Sequence, residues 1–176
     1  MASFEYKPRS LSPPEIRLLK LSPGTWGAEI RCDLNHASLD AKPYYEALSY
    51  TWGDANDRRS ILLDGRRFNV TKNLEVALRH LRHEHVARTL WVDALCINQG
   101  DLVERGKQVL KMKDIFATAW RVLAWTGEAG DDSDEAGALV QELGAFMKSK
   151  GKTLPTVKLT SQHFRDLGLD LQTKNW

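Results

Sequence analysis

Strand-like and helix-like hydrophobic patterns alternate along residues 45–147, and this alternation constrains the fold more than any other feature of the sequence. Short apolar runs predict strands, and apolar residues at three- and four-residue spacing predict amphipathic helices between them. The predicted elements are strands at Tyr45–Tyr50, Leu90–Leu95 and Arg121–Trp125 and helices at Asn73–His85, Asp101–Ala119 and 136–147. Such alternation is typical of an α/β fold with a mainly parallel central sheet flanked by helices.

The first half of the chain adds strands that do not follow this alternation. Glu15–Leu21 and Ala28–Leu34 alternate apolar and polar residues, which predicts two half-buried strands. Ile61–Leu63 and Arg66–Val70 flank the dipeptide Asp64-Gly65, which readily takes the positive φ values of a two-residue turn. The sequence therefore predicts an added β-hairpin beside the parallel sheet.

Length and composition place the chain among ordinary globular proteins. The 176 residues are 42% hydrophobic and 27% charged, with a net charge of +2. No apolar run approaches the roughly 20 residues of a membrane span, and the N-terminus lacks the apolar core of a signal peptide. Two distant cysteines favour a reducing compartment over a disulfide framework. We therefore expect a cytoplasmic protein that binds neither membrane nor nucleic acid.

Three segments carry longer motifs than the fold requires. The first, residues 45–54, reads YEALSYTWGD; the second, residues 90–99, reads LWVDALCINQ; the third, residues 119–127, reads AWRVLAWTG. Together they closely resemble the heterokaryon-incompatibility (HET) domain of filamentous fungi, in the family's order and spacing. One departure is Thr126, where the family commonly has leucine.

The resemblance suggests how the chain is organised. Residues 1–14 are a loose, proline-containing lead-in, residues 15–148 form the HET domain, and residues 149–176 are a C-terminal extension. The family usually continues with a further tryptophan-containing block, which this chain does not reach before Trp176. The chain is then either a natural short form or a piece truncated from a longer protein.

The HET domain in turn is similar to the Toll/interleukin-1 receptor (TIR) domain. Residues 45–54 match the first TIR strand in shape: tyrosine and acid, apolar strand, serine, aromatic residue, glycine and acid. This second resemblance implies a TIR-like, flavodoxin-like fold and cleavage of NAD at the nicotinamide–ribose bond by one helical glutamate. Glu104 is at the matching position. The family resemblance implies a role in non-self recognition, innate immunity and programmed cell death.

The chemistry of that cleavage defines a candidate site. Ligands of parallel sheets gather at the carboxyl ends of strands, so the loops after Tyr45–Tyr50 and Leu90–Leu95 face one crevice if the strands are neighbours. Departing nicotinamide leaves positive charge on the ribose, which Glu104 would stabilise. Because nicotinamide is a cationic leaving group, neither metal nor cofactor is required, and NAD is the substrate. Predicted nucleotide-binding residues are Ser49, Tyr50, Trp52, Gly53, Asp54, Asp93 and Gln108.

Several of these residues have an alternative, structural interpretation. Glu104 resembles an exposed ion-pairing residue among Arg105, Lys107 and Lys111. Asp93 is better suited to brace the Trp52–Asp54 loop or a helix N-terminus than to react. The other structural roles that we expect are helix caps at Asn98 and Asp101 and a buried thiol at Cys96.

Charge distribution suggests a second class of function. Residues 58–88 are rich in arginine, whereas residues 128–142 contain six acidic residues and no lysine or arginine. Such patches suit head-to-tail self-association or docking of an upstream receptor or partner protein. The alternative to an enzyme is therefore a non-enzymatic signalling and self-assembly module of the same family.

Overall fold

The described part of the chain forms a seven-stranded sheet with three α-helices and one short 3-10 helix, Leu39–Ala41. The structure, a computed structural model, describes residues 5–6 and 15–128. The strands are β1 (Glu15–Leu21), β2 (Arg31–Ser38), β3 (Glu46–Tyr50), β4 (Arg58–Leu63), β5 (Arg66–Thr71), β6 (Arg88–Trp91) and β7 (Arg121–Trp125). The helices are α1 (Lys72–Leu81), the short α2 (Asp93–Cys96) and α3 (Leu102–Thr118).

The sheet is mixed, so the prediction of a mainly parallel sheet is wrong. Its strand order is β5-β4-β2-β1-β6-β3-β7. The pairs β2–β4, β3–β6 and β3–β7 are parallel, whereas β1–β2, β1–β6 and β4–β5 are antiparallel. The physical reason is the position of β1, which lies in the middle of the sheet and runs antiparallel to both neighbours. The α/β class is confirmed, and parallel pairing is limited to β2–β4 and to the group β6-β3-β7.

Several predicted elements are confirmed and others are shifted. The strands at Glu15–Leu21 and Arg121–Trp125 have the predicted bounds, while the second strand lies at Arg31–Ser38 rather than Ala28–Leu34. The predicted strand Leu90–Leu95 is wrong beyond Trp91. There the chain leaves the sheet and forms α2, in which the amides of Leu95 and Cys96 donate to the Val92 carbonyl at 3.0 and 2.7 Å.

The predicted hairpin is confirmed. Asp64 and Gly65 have φ values of 48° and 72°, the left-handed conformations that a two-residue turn of this hand requires. The Asp64 side chain also accepts a hydrogen bond from the Leu34 amide at 2.9 Å, so the turn is tied to β2. The hairpin β4–β5 therefore joins the sheet through β2.

Helix α1 begins at a side-chain cap and covers one part of the core. Thr71 Oγ1 accepts from the Leu74 amide at 3.4 Å, and Leu74, Ala77 and Leu78 are buried. The helix ends at Leu81, four residues earlier than predicted, because Arg82 turns inward. Its guanidinium donates to backbone carbonyls of the loop between β1 and β2, at Thr25, Trp26, Ala28 and Glu29.

A buried carboxylate joins the parallel strands at their amino ends. Glu46 is 6% exposed, and its two oxygens accept hydrogen bonds from Arg88 at 2.7 Å and Arg121 at 2.5 Å. Each of these residues lies on a different strand of the group β6-β3-β7. A buried carboxylate needs such partners because desolvation penalises an unpaired charge. Charge pairing therefore fixes the relative positions of the three parallel strands.

The described residues belong to one compact unit, Met1–Glu128. The predicted helix at 136–147, most of the acidic stretch 128–142 and the extension 149–176 lie outside the described residues. Across the described ranges, no helix has the length and apolar character that membrane crossing requires.

Candidate functional site

The carboxyl ends of three parallel strands meet at one edge of the sheet. β3 pairs in parallel with β6 on one side and with β7 on the other, and Tyr50 at the end of β3 lies beside Trp125 at the end of β7. β3 and β6 are therefore neighbours, which is the condition on which the predicted shared crevice depends. Ser49 is exposed near the end of β3.

Asp93 braces the loop that follows β3. Its Oδ2 accepts a hydrogen bond from Trp52 Nε1 at 2.9 Å, and its Oδ1 accepts from the Ala94 amide at 2.7 Å. The Tyr50 hydroxyl also hydrogen-bonds this carboxylate. The structural interpretation of Asp93 is thus confirmed, although Asp93 lies at the start of α2 and not within a strand. Trp52 remains 46% exposed.

Burial determines the protonation of this cluster. It raises the pKa of Asp93, while the hydrogen bonds from Trp52, Ala94 and Tyr50 act in the opposite direction. The pKa of Tyr50 is also raised, first by burial and then by the nearby Asp93 charge. The Tyr50 hydroxyl therefore stays protonated at neutral pH and donates its hydrogen to Asp93.

Gly53 allows the same loop to approach α1. Its φ is +74°, and a β-carbon at this position would lie 3.1 Å from Cβ of Asn73. Asn73 Nδ2 donates to the Thr51 carbonyl at 2.6 Å, and Asn73 Oδ1 accepts from Trp125 Nε1 at 2.9 Å. The close approach that Gly53 permits is therefore to Asn73, which ties the Trp52 loop to both α1 and β7.

Asp54 lines a small acidic pocket beside this loop. Its Oδ1 accepts from the Asn56 amide at 2.8 Å, which stabilises a local turn. The pocket has a volume of about 180 Å³ and is lined by Asp54, Asp57, Lys72, Asn73, Val76 and Glu128. Three carboxylates against one ammonium repel phosphate, so this pocket does not suit the pyrophosphate of a dinucleotide.

Glu104 is turned into the protein and pairs with Arg17 of β1. Arg17 Nη1 and Nη2 donate to Glu104 Oε1 and Oε2 at 2.5 and 3.0 Å. The side chains of Arg17 and Glu104 are 2% and 10% exposed, so this ion pair is buried. The alternative of an exposed ion-pairing Glu104 is therefore wrong. A bidentate guanidinium fixes the plane of a carboxylate as well as its charge.

Loop residues before α3 also position Glu104. The Asn98 amide donates to Glu104 Oε1 at 2.8 Å, and Asp101 Oδ1 accepts from the amides of Val103 and Glu104 at 2.9 Å. The helix cap expected at Asp101 is confirmed, whereas the Asn98 side chain accepts from Gly100 and closes a turn. Gln108, one turn after Glu104, is 1% exposed and lies in the core.

The ring of Tyr6 lies against the Arg17 guanidinium. The Arg17 guanidinium carbon lies 4.8 Å from the centre of the Tyr6 ring. Burial raises the pKa of Tyr6 to about 12, while the nearby Arg17 charge acts in the opposite direction. Burial likewise raises the pKa of the Cys96 thiol to about 12, so Cys96 stays protonated and serves as a small core residue, as expected.

Arg17 and Tyr6 are the site residues that sequence reasoning missed. Arg17 interrupts Ile16, Leu18 and Leu19, which are all buried, so β1 is covered on both faces. A charge in such a strand signals a buried carboxylate partner, but not which one. Tyr6 carries no comparable signal, because it lies in a proline-containing stretch without periodicity.

Of the seven arginines in the stretch 58–88, three are buried or half-buried and four are exposed. Arg79 pairs with Glu75, Arg82 holds a loop and Arg88 pairs with Glu46. The hairpin keeps its exposed arginines, at positions 58, 59, 66 and 67. Among the residues that the structure describes, no three His, Cys, Asp or Glu side chains group as metal ligands.

Trp52→Phe is expected to raise the pKa of Asp93 further, because it removes a hydrogen bond that stabilises the ionised carboxylate. A raised folded-state pKa favours the protonated form. The stabilisation from protonated Asp93 is complete below the pKa of an unfolded aspartate and is lost as pH rises through the folded-state pKa. We would follow the carboxyl carbon by NMR during a pH titration. Trp26→Phe, which alters an exposed indole distant in sequence, is the control; equal Asp93 titrations in both variants would contradict the prediction.

Comparisons with known proteins agree with the motifs. The family described as "Heterokaryon incompatibility protein (HET)" matches residues 45–174. The chain is 38% identical over 157 residues to "Heterokaryon incompatibility protein 6, OR allele" of Neurospora crassa, and the match covers 80% of this chain and 23% of the relative. No solved structure is significantly similar. With family and relative in agreement, the chain belongs to the HET family of heterokaryon incompatibility proteins.

Proposed function

We propose that this HET domain acts in fungal non-self recognition and cell death by cleaving NAD at the nicotinamide–ribose bond. The observation that carries the proposal is the position of Glu104, which is turned inward at the start of α3 instead of lying on open surface. α3 follows β6, and β6 lies beside β3 in the parallel part of the sheet. This order of strands and helix supports the TIR-like fold that the sequence suggests.

The reaction needs one well-placed carboxylate. The bond between ribose C1′ and the nicotinamide nitrogen breaks, and its electron pair leaves with nicotinamide. Water then adds to C1′ and releases a proton, which gives ADP-ribose. In this mechanism Glu104 stabilises the positive charge on the ribose and orients the attacking water. No metal or cofactor takes part.

The remaining site residues have supporting roles in the proposal. The exposed Trp52 indole stacks on a flat base, and Ser49 and Gly53 border the nucleotide. Tyr50 and Asp93 keep Trp52 in position through their hydrogen bonds. Gln108 is buried one helical turn beyond Glu104, and its proposed role is to support the helix that carries Glu104.

Glu104→Gln is expected to abolish nicotinamide release from NAD by concentrated protein, a loss of at least about 100-fold. The substitution also leaves Arg17 without a carboxylate, so reduced stability is a competing explanation. We would therefore add Arg17→Met/Glu104→Gln, which removes both charges, and check folding by circular dichroism. Release that persists in a folded Glu104→Gln protein would contradict the catalytic role.

The second candidate is a self-assembly or partner-binding module without catalysis. It is favoured by the exposed arginines of the β4–β5 hairpin, which suit an acidic surface of a second copy or of a receptor. Wild-type protein that is assembled by light scattering and still releases no nicotinamide would make this function the better explanation.

A further inference from the structure

We propose that two copies of this chain associate through the outer face of α3, as an antiparallel helix pair that crosses at Gly106. The outer α3 face consists of exposed residues at three- and four-residue spacing, which places them on one side of the helix: Leu102, Val103, Gly106, Val109 and Leu110. None of these residues belongs to the candidate site, so the inference goes beyond NAD cleavage. It also uses α3 rather than the hairpin arginines of the second candidate function.

The outer α3 face is apolar although it lies opposite the core. Its leucines and valines are between 54% and 84% exposed. The other side of the helix carries Gln108 and Ile115, which are buried. A helix at the surface of a globular protein normally has one apolar face, which the core covers, and a polar face toward solvent. α3 therefore has a second apolar face, and an exposed apolar patch of this kind marks an interaction surface.

Gly106, in the middle of the outer α3 face, has no role that the described contacts explain. A β-carbon at this position would meet no described atom within 4 Å. Glycine in the interior of a helix lowers its stability relative to alanine, so its presence here carries a cost without a local benefit. A glycine does allow another backbone to approach closely. A second helix crossing at Gly106 would use the space that the missing side chain leaves.

The order of residues on either side of Gly106 favours a second copy of α3 as the partner. Leu102 and Leu110 lie four positions before and after this glycine, and Val103 and Val109 lie three positions before and after it. A two-fold axis at Gly106 therefore places each leucine and valine that precedes it against the leucine and valine that follow it in the other copy. Such self-complementarity is what a two-fold symmetric interface requires.

Charges near the two ends of the outer α3 face favour the antiparallel orientation. Asp101 precedes the helix, Lys113 lies toward its end, and both are exposed. With the axis at Gly106, Lys113 of one copy lies level with residue 99 of the other and within one helical turn of its Asp101. A parallel pair would instead place like charges side by side. Opposite charges at both ends therefore select one orientation.

Sedimentation equilibrium of the full chain tests the association. We expect the parent protein to pass from monomer to dimer as its concentration rises, and Leu110→Glu to raise the dimer dissociation constant at least about 100-fold. Val86→Glu is the matched control, because Val86 is an exposed valine between α1 and β6 and its substitution should leave the dissociation constant unchanged. Circular dichroism checks that both variants are folded. A parent protein that stays monomeric, or a dimer that Leu110→Glu leaves intact, would overturn the proposal.

Gly106→Cys tests the position of the two-fold axis. Crossing at this residue brings the two introduced thiols within reach of each other, so mild oxidation should join the copies by a disulfide. Cys32 and Cys96 are buried and do not compete. Val86→Cys is the control and should stay uncrosslinked; equal crosslinking of both variants would overturn the crossing at Gly106. Added salt should not weaken this apolar contact, whereas it would weaken a contact between arginines and acids. None of these readouts depends on NAD, so the contact and the proposed cleavage fail separately.

Discussion

Arg17→Met is expected to lower the free energy of unfolding by about 3–5 kcal/mol. The substitution leaves Glu104, 10% exposed, without the guanidinium that binds both of its oxygens. An isolated buried charge keeps its desolvation penalty and loses the interaction that offset it. Urea unfolding followed by circular dichroism measures the change.

A double-mutant cycle tests the explanation. Glu104→Gln alone should also destabilise the protein, because the buried Arg17 loses the charged carboxylate that accepts from both Nη1 and Nη2. Arg17→Met/Glu104→Gln should lose less stability than Arg17→Met, since neither charge remains and the introduced side-chain amide can still accept from the Asn98 backbone N–H. Additive losses would mean that the two side chains are not energetically coupled, contrary to the observed pairing.

Trp91→Ala is expected to cost about 3–5 kcal/mol of stability. Trp91 is 1% exposed at the end of β6, and its ring packs edge-on against Phe116 of α3 with centroids 5.5 Å apart. Removing the indole leaves a cavity between the sheet and the helix that carries Glu104. Thermal unfolding measures the loss of stability. Hydrogen exchange at the Asn98 backbone amide, which donates to Glu104, reports whether the start of α3 also loosens.

Trp91→Phe isolates packing from hydrogen bonding. The indole N–H of Trp91 has no hydrogen-bond partner among the described residues. Phenylalanine keeps most of the ring contact and removes this unsatisfied buried donor, so we expect a loss below about 1.5 kcal/mol. A loss as large as that of Trp91→Ala would indicate an undetected partner for the N–H group.

Local features of the fold are predictable from the sequence because their causes are local. The Asp64-Gly65 turn, the cap at Asp101 and the bounds of β1 and β7 follow from residues that are close in the sequence. The orientation of the strands in the sheet cannot be predicted in this way, since it depends on where β1 inserts. The apolar run after Leu90 is predicted wholly as a strand because such runs do not distinguish a strand from a short helical turn.

For the candidate site, the sequence predicts only its location, at the carboxyl ends of the parallel strands. Motif order identifies the loops after β3 and β6, and a carboxylate in an apolar environment identifies Asp93 as a brace. The partner of Glu104 is not predictable, because Arg17 lies 87 residues away and hydrophobic periodicity carries no pairing information. The sequence predicts that Gln108 lines the site, but helical spacing does not say which face of α3 meets the core.

The parallel group of strands has a consequence for biosynthesis. β3 lies between β6 and β7, and the pair Glu46–Arg121 is separated by 75 residues. At a translation rate of about 5–20 residues per second, the ribosome takes roughly 4–15 s to make this interval. Until Arg88–Trp91 has been made, both hydrogen-bonding edges of β3 lack their native neighbours, and the edge that pairs with β7 lacks its neighbour for the whole interval. The nascent chain therefore presents Ala47 and Leu48, later buried, as a target for chaperones.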